Sequence, residues 1–234
     1  MKKIAVICAM QVELDAIKNL LSDLEEVNIG PRVFFKGIFN EKEIILVKCG
    51  IGKVNAAITT ALLINEFKPS LIINCGVAGG YSTKLKPLDV VIGNKIFYYD
   101  VDCTFGELSM SYGQVQDEPA KFNCSKVLID LLNKEDIDCN YYIGAIMTAD
   151  QFATDRAYLS GIIEKHFSDV EVFAVDMESA AIAHTANQFK TDVVIVRSIS
   201  DVVGVEQDET YPNFLERACY NASTIVSFLL SKVA

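Results

Sequence analysis

The 234-residue chain lacks an excess of positive charge, has only two histidines, and has no closely spaced cysteines. Lysine and arginine number 21 against 31 aspartates and glutamates, a formal net charge of −10. Nucleic-acid binding needs a concentrated basic face, so no nucleic-acid partner is expected. The seven cysteines, at 8, 49, 75, 103, 124, 139 and 219, include no pair closer than fifteen residues, which excludes the CxxC patterns of zinc and redox sites. Free buried thiols in a reducing cytoplasm fit this spacing. His166 and His184 form no metal set and read as surface or packing residues, so neither metal nor cofactor is expected.

Long apolar runs are missing too. No window approaches the ~18 apolar residues of a membrane helix. Lys2 and Lys3 imitate the start of a signal peptide, but the run from Ile4 to Met10 is short and is soon interrupted by Glu13 and Asp15. The expectation is a soluble, cytoplasmic protein with no membrane partner. Two nucleotide fingerprints are absent: Gly50-Ile51-Gly52 continues into Lys53, Val54 and Asn55, without the third glycine of GxGxxG, and no GxxxxGK[ST] occurs.

What is present is an α/β pattern in one continuous domain, 1–234, with no internal repeat, low-complexity tract or linker. This length buries enough surface for a core without metals or disulfides. Strands are expected at about 2–9, 33–39, 43–49, 70–75, 88–101, 141–147, 171–176 and 192–198, and helices near 11–22, 53–66, 124–134, 155–166, 178–189 and 212–232. In the second helix the i, i+3, i+4 spacing of Val54, Ala57, Ile58, Ala61 and Leu62 predicts a face toward the sheet. Cys103 to Asn123 is the one long irregular segment, a length often tied to function.

The chemistry-bearing residues fall where strands end. VDMESAAIAH, Val175 to His184, places Glu178 in a strand-to-helix turn, where a carboxylate accepts hydrogen bonds from paired sugar hydroxyls and Met177 supplies an adaptable apolar surface. An acidic first turn complementing the helix dipole explains the same residues equally well. VVIVRSISD ends an apolar strand in Arg197, Ser198, Ile199, Ser200 and Asp201, at the carboxyl end where α/β ligands gather. A helix-capping Asp is the alternative there. Glu13 is a third carboxylate, at the first strand-to-helix junction, and Gly50-Ile51-Gly52-Lys53 and Gly76-Val77-Ala78-Gly79-Gly80 close two further strands as glycine turns.

In order, ICAMQVELD, KCGIGKVNAA, IINCGVAGG, ADQFATD, VDMESAAIAH and VRSISD resemble the nucleosidases that cleave 5′-methylthioadenosine and S-adenosylhomocysteine, within the nucleoside phosphorylase and hydrolase superfamily. The resemblance runs from the first strand to the last helix. It implies a three-layer α/β/α fold around a central twisted mixed sheet, and a homodimer acting on adenine nucleosides. It implies that Asp201 protonates N7 of the departing purine with Ser200 orienting it, and that Glu13 accepts the proton of the attacking water. Glu178 then binds the 2′ and 3′ hydroxyls, Met177 packs under the ribose, Phe152 stacks on adenine, and main chain around Phe152 and Ala153 reads its edge. Ala9, Ile51, Ala78, Gly79 and Asp176 complete the implied substrate site. Arg197 reads equally as an anchor for Glu178 and as a structural salt bridge.

Phosphorylase relatives hold an anion beneath the sugar with arginines near the first strand end and near the glycine turn. The corresponding residues here are Met10-Gln11-Val12-Glu13 and Asn74-Cys75-Gly76-Val77. A carboxylate ~4 Å from a phosphate costs on the order of 4 kcal/mol per charge pair at an effective dielectric of ~20. Hydrolysis is therefore expected, with a phosphorylase using the Lys53 or Arg32 region and a non-catalytic nucleoside-binding protein as the alternatives. Against a pure binder, binding alone needs no water-activating carboxylate. Three residues depart from the family pattern: Val77 stands where serine is frequent, Asp176 where Glu often precedes the Met, and Tyr211 where phenylalanine often covers the 5′ substituent. The region near Gln116 also lacks a familiar proline. Tyr211 and Phe105 to Gln116 are expected to line the 5′ end, Phe105 reaching across the dimer interface, and the 5′ group stays open.

Overall fold

The computed structural model describes residues 3–105, 110–132, 137–205 and 207–233. Apolar, β-branched segments such as Ile4–Cys8, Leu71–Gly80 and Asp192–Val202 form strands buried on both faces, as parallel strands covered by helices must be. The elements, in order, are β1 (Ile4–Cys8), α1 (Gln11–Lys18), β2 (Ser22–Ile29), β3 (Arg32–Phe39), β4 (Lys42–Lys48), α2 (Lys53–Phe67) and β5 (Leu71–Gly80). They continue as β6 (Val90–Tyr98), β7 (Phe122–Asn123), α3 (Lys126–Leu132), β8 (Tyr141–Thr148), α4 (Arg156–His166), β9 (Val172–Asp176), α5 (Ser179–Gln188), β10 (Asp192–Val202) and α6 (Gln207–Lys232).

The mixed sheet is as expected, with one addition. β5 pairs with β10 in parallel and with β9 in antiparallel, while β10 meets β6, β6 meets β8 and β8 meets β9. These five strands close into a ring. From it β1, β4, β3 and β2 extend as an open wing. α1 packs with α6 and α2 packs with α5, while α3 lies against β6.

Several boundaries differ from the sequence reading. β2 lies within and beyond the expected end of the first helix; its charged residues are mostly exposed, the mark of an edge strand that discourages pairing with other chains. The run Gly76 to Gly80 is not a turn but the end of β5, which continues five residues past Cys75. β10 likewise runs to Val202, and α6 begins at Gln207 with Pro212 inside it rather than at its start.

The face expected for α2 is also corrected. Ala56, Thr59, Thr60, Leu63, Ile64 and Phe67 are buried, whereas Val54 is 69% and Ile58 46% exposed. Buried threonines disguise the core stripe: Thr59 and Thr60 direct their hydroxyls to the carbonyls of Asn55 and Ala56, which lets a polar residue sit in an apolar layer. In the irregular segment, Tyr112 stacks on His166 at 4.0 Å and packs against a second small core. His184 stacks on Phe122 and bonds Tyr98 Oη through Nδ1 at 3.1 Å. Both histidines are packing residues.

Candidate active site

The carboxyl ends of β1, β5, β9 and β10 converge with the loop after β8 and the start of α6 around a single cleft. Ala9, Met10, Glu13, Ile51, Val77, Ala78, Gly79, Phe152, Ala153, Asp176, Met177, Glu178, Ser200, Asp201 and Tyr211 all line it, joined by Gln151, Val175 and Gln207. Of the expected site residues, Arg197 and Phe105 do not. Phe105 is 92% exposed, and Leu108, which shares its segment, lies outside the described residues.

Glu13 is the third helical residue of α1, and its side chain turns back onto the helix start. Oε2 accepts from the backbone N–H of Ala9 at 2.7 Å and of Met10 at 2.9 Å, and Oε1 from that of Val77 at 3.0 Å. Burial pushes this carboxyl up from its ordinary value, against the opposing pull of Arg197 and the three backbone donors. Gly76 makes the approach possible, because a Cβ there would collide with both the Arg197 guanidinium and the Glu13 carboxylate.

Arg197 lies behind the cleft, wholly buried. Nη2 is 2.8 Å from Asp176 and 3.3 Å from Glu178, and also donates to Asn74 Oδ1 at 2.8 Å, while Nε reaches Ser179 Oγ at 3.2 Å. Burial alone disfavours the charged guanidinium, but Asp176, Glu178 and Glu13 more than offset it. It is a counter-ion for the floor of the site, and the shared arginine holds Asp176 and Glu178 in fixed positions.

Glu178 sits where β9 turns into α5. Its Oε1 accepts from the N–H of Gly52 at 2.9 Å, a residue at φ +94° that caps α2. Burial pushes Glu178 up to about 7, Arg197 pulling against it and Asp176 and Glu13 adding to it. Asp201 arises from an irregularity: the β10 register shifts against β5 between Ile199 and Asp201, a bulge that re-aims the side chain toward the cleft. Ser200 Oγ donates to Asp201 Oδ1 at 2.7 Å and Gln207 Nε2 to Oδ2 at 2.5 Å. Burial pushes Asp201 up, with both donors opposing. Phe152, 53% exposed, meets the Tyr211 ring edge-on at 5.6 Å, and Tyr211 Oη donates to Met10 Sδ at 3.4 Å.

Among the described residues, four carboxyls line the cleft and no lysine, arginine or histidine does. Lys53 is held by Asp100 at 2.6 Å, and Arg32 by Thr59 at 2.8 Å and Asn55 at 2.7 Å, so the cations considered for phosphate binding are engaged elsewhere. Met10, Val77, Gln151, Val175 and Gln207 were not placed in the site from sequence. Four of them adjoin residues that were. Gln207 carried no signal, because the fifth residue after a strand gives no warning of folding back onto it.

Residues 3–231 match the family model described as the phosphorylase superfamily. A 5′-methylthioadenosine/S-adenosylhomocysteine nucleosidase of Bacillus pumilus is 37% identical over 227 residues, 96% of each chain. Among solved structures, the nucleosidase of that name from Neisseria meningitidis in complex with methylthio-immucillin-A is 35% identical with a TM-score of 0.91, both chains covered in full. A futalosine hydrolase of Helicobacter pylori is 26% identical with a TM-score of 0.90, covering 99% and 98% of the two chains. With this agreement along its whole length, the chain belongs to the 5′-methylthioadenosine/S-adenosylhomocysteine nucleosidases of the phosphorylase superfamily.

Proposed function

We propose that the protein hydrolyses the N-glycosidic bond of 5′-methylthioadenosine and S-adenosylhomocysteine, releasing adenine and a 5-substituted ribose. The observation that carries the choice of water over phosphate is the acidic lining: among the described residues, four carboxyls and no cation face the cleft. A phosphate dianion entering there meets repulsion with no compensating cationic side chain.

In this reading the C1′–N9 bond breaks with its electron pair leaving on the base, and Asp201 delivers a proton to N7. Burial supports that role by keeping Asp201 protonated to higher pH than an exposed aspartate. Water bonds to C1′ from the opposite face and its proton passes to Glu13, whose raised proton affinity suits a base. Glu178 accepts the ribose hydroxyls and places negative charge near the cationic sugar. Phe152 stacks on adenine, Met177 packs against the ribose, and Tyr211 faces the 5′ substituent.

The functional unit in this reading is a cytoplasmic homodimer. Ile51, Val54 and Ile58 expose a continuous apolar strip on α2 and the loop before it, 53%, 69% and 46% exposed, and Phe105 is more exposed still. Such a strip favours a partner surface. Tyr112, in the same irregular segment as Phe105, is half-buried and stacks on His166, so α2 joins that segment in the proposed interface. The test is an assay of base release from 5′-methylthioadenosine, S-adenosylhomocysteine, 5′-deoxyadenosine and futalosine, with and without phosphate. Release of free sugar in phosphate-free buffer is expected; strict phosphate dependence with a sugar 1-phosphate product overturns the reading.

A further inference from the structure

Gln207, the first residue of α6, uses three of its hydrogen-bonding positions inside the cleft wall. Its Nε2 donates to Asp201 Oδ2 at 2.5 Å and to the Ala153 carbonyl at 3.0 Å, and its Oε1 accepts from the N–H of Gly204 at 3.0 Å. One side chain therefore joins the carboxyl near the end of β10, the loop carrying Phe152 and the helix carrying Tyr211. The amide is 8% exposed and anchored at both ends, so it is a brace rather than a freely swinging group.

We infer that Gln207 is a positioning residue for the Asp201 proton transfer: it fixes the carboxyl plane relative to the base-facing loop and restrains the affinity of Asp201 for its proton. This inference rests on the reading of Asp201 as general acid. With Ser200 on Oδ1 and Gln207 on Oδ2, both carboxyl oxygens receive a donor, and donors favour the ionised form. An acid held too tightly delivers its proton poorly; one ionised too readily is inactive at neutral pH. Burial pulls toward the first extreme and the two donors toward the second. The titratable groups sharing the cleft are Tyr211 on α6, Glu13 on α1, Asp176 at the end of β9 and Glu178 just before α5. The β5 wall and the loop after β8 contribute Val77 to Gly79 and Gln151 to Ala153, none of them charged.

The experiment compares wild type, Gln207→Leu, Gln207→Met and Asp201→Asn on 5′-methylthioadenosine and on a ribosyl nitrophenolate, whose leaving group needs no proton. Activity on the nucleoside falls as Asp201 loses its proton, so removing a donor from the carboxylate moves the high-pH limb of kcat/KM upward, by about one pH unit. Gln207→Leu and Gln207→Met are expected to show that shift and to lose about tenfold in kcat on the nucleoside and far less on the nitrophenolate. Met keeps the length of Gln and carries the test if Leu does not fold. An unmoved limb, or equal loss on both substrates with Asp201→Asn still selective, overturns the role of Gln207 alone. Equal loss on both substrates in Asp201→Asn overturns the general-acid reading beneath it.

Discussion

Arg197 lies 3.3 Å from the Glu178 carboxylate, yet Glu178 faces the cleft and Arg197 does not. The arginine neutralises the site from behind while leaving its front acidic, which lets carboxylates crowd around a developing cation. Arg197→Met is expected to destabilise the fold by about 3–5 kcal/mol, because Asp176 and Glu178 are left buried without their partner. Arg197→Lys recovers little of this, since an ammonium cannot span Asp176, Asn74 and Ser179 together. Denaturant melts check both; a loss below about 1 kcal/mol in Arg197→Met would count against the counter-ion role.

Glu13→Gln tests the water-activating role. The amide still accepts from two of the three backbone donors, but its NH₂ then opposes the third, a mismatch of about 1–3 kcal/mol. Turnover is expected to fall by about 10²–10⁴-fold with nucleoside binding retained. Calorimetric titration beside a rate assay separates these effects, and near wild-type turnover removes Glu13 from the mechanism.

Asp201→Asn is expected to cost about 10²–10⁴-fold in turnover on an adenine nucleoside while weakening binding much less. Asn keeps the volume and the Ser200 contact but carries no acidic proton. Single-turnover rates measured at saturating substrate give the answer directly.

The low-pH limb of the proposed reaction arises from Glu178, whose carboxyl burial raises from 4.5 to about 7. In the proposed reading its carboxylate accepts the ribose hydroxyls best when ionised, so kcat/KM is expected to rise with pH through about 7 and Glu178→Gln to lack that low-pH limb. For stability the sign is opposite. A carboxyl whose folded pKa exceeds its unfolded one stabilises the fold fully below 4.5, and that contribution is lost as pH rises to about 7. Melting temperatures of wild type and Glu178→Gln across that interval check it: the difference between them should change with pH in this direction.

Val54→Glu together with Ile58→Glu is expected to give a monomer without unfolding, since both side chains point to solvent from α2. Light scattering at micromolar concentration reads the outcome. A double variant that remains dimeric places the interface elsewhere.

Much of the site was legible in the sequence because strand-end acids carry local signals. Glu13, Glu178 and Asp201 each come after an apolar run, and the fold delivers all three to one cleft. The α2 face was misread because periodicity counts Val54 and Ile58 as core and Thr59 and Thr60 as surface, whereas threonines bonded to their own helix pack inward. β2 was missed because an exposed edge strand has no hydrophobic alternation to detect. Gln207 was invisible because its partners, Asp201 and Ala153, are brought to it by the closing of the sheet.

That closure also orders events during synthesis. β10 completes the ring by pairing with β5 on one side and β6 on the other, and it is the strand that carries Ser200 and Asp201. A nascent chain holds β5, β6, β8 and β9 before β10 exists, so two strand edges wait unpaired and open to other chains. Glu13, Asp176 and Glu178 are already present by the end of that interval, but Asp201 is not. Hydrolytic competence thus arrives together with the strand pairing of greatest sequence separation, a slow kind of contact to form, and an incompletely made chain holds no finished active site to act on nucleosides.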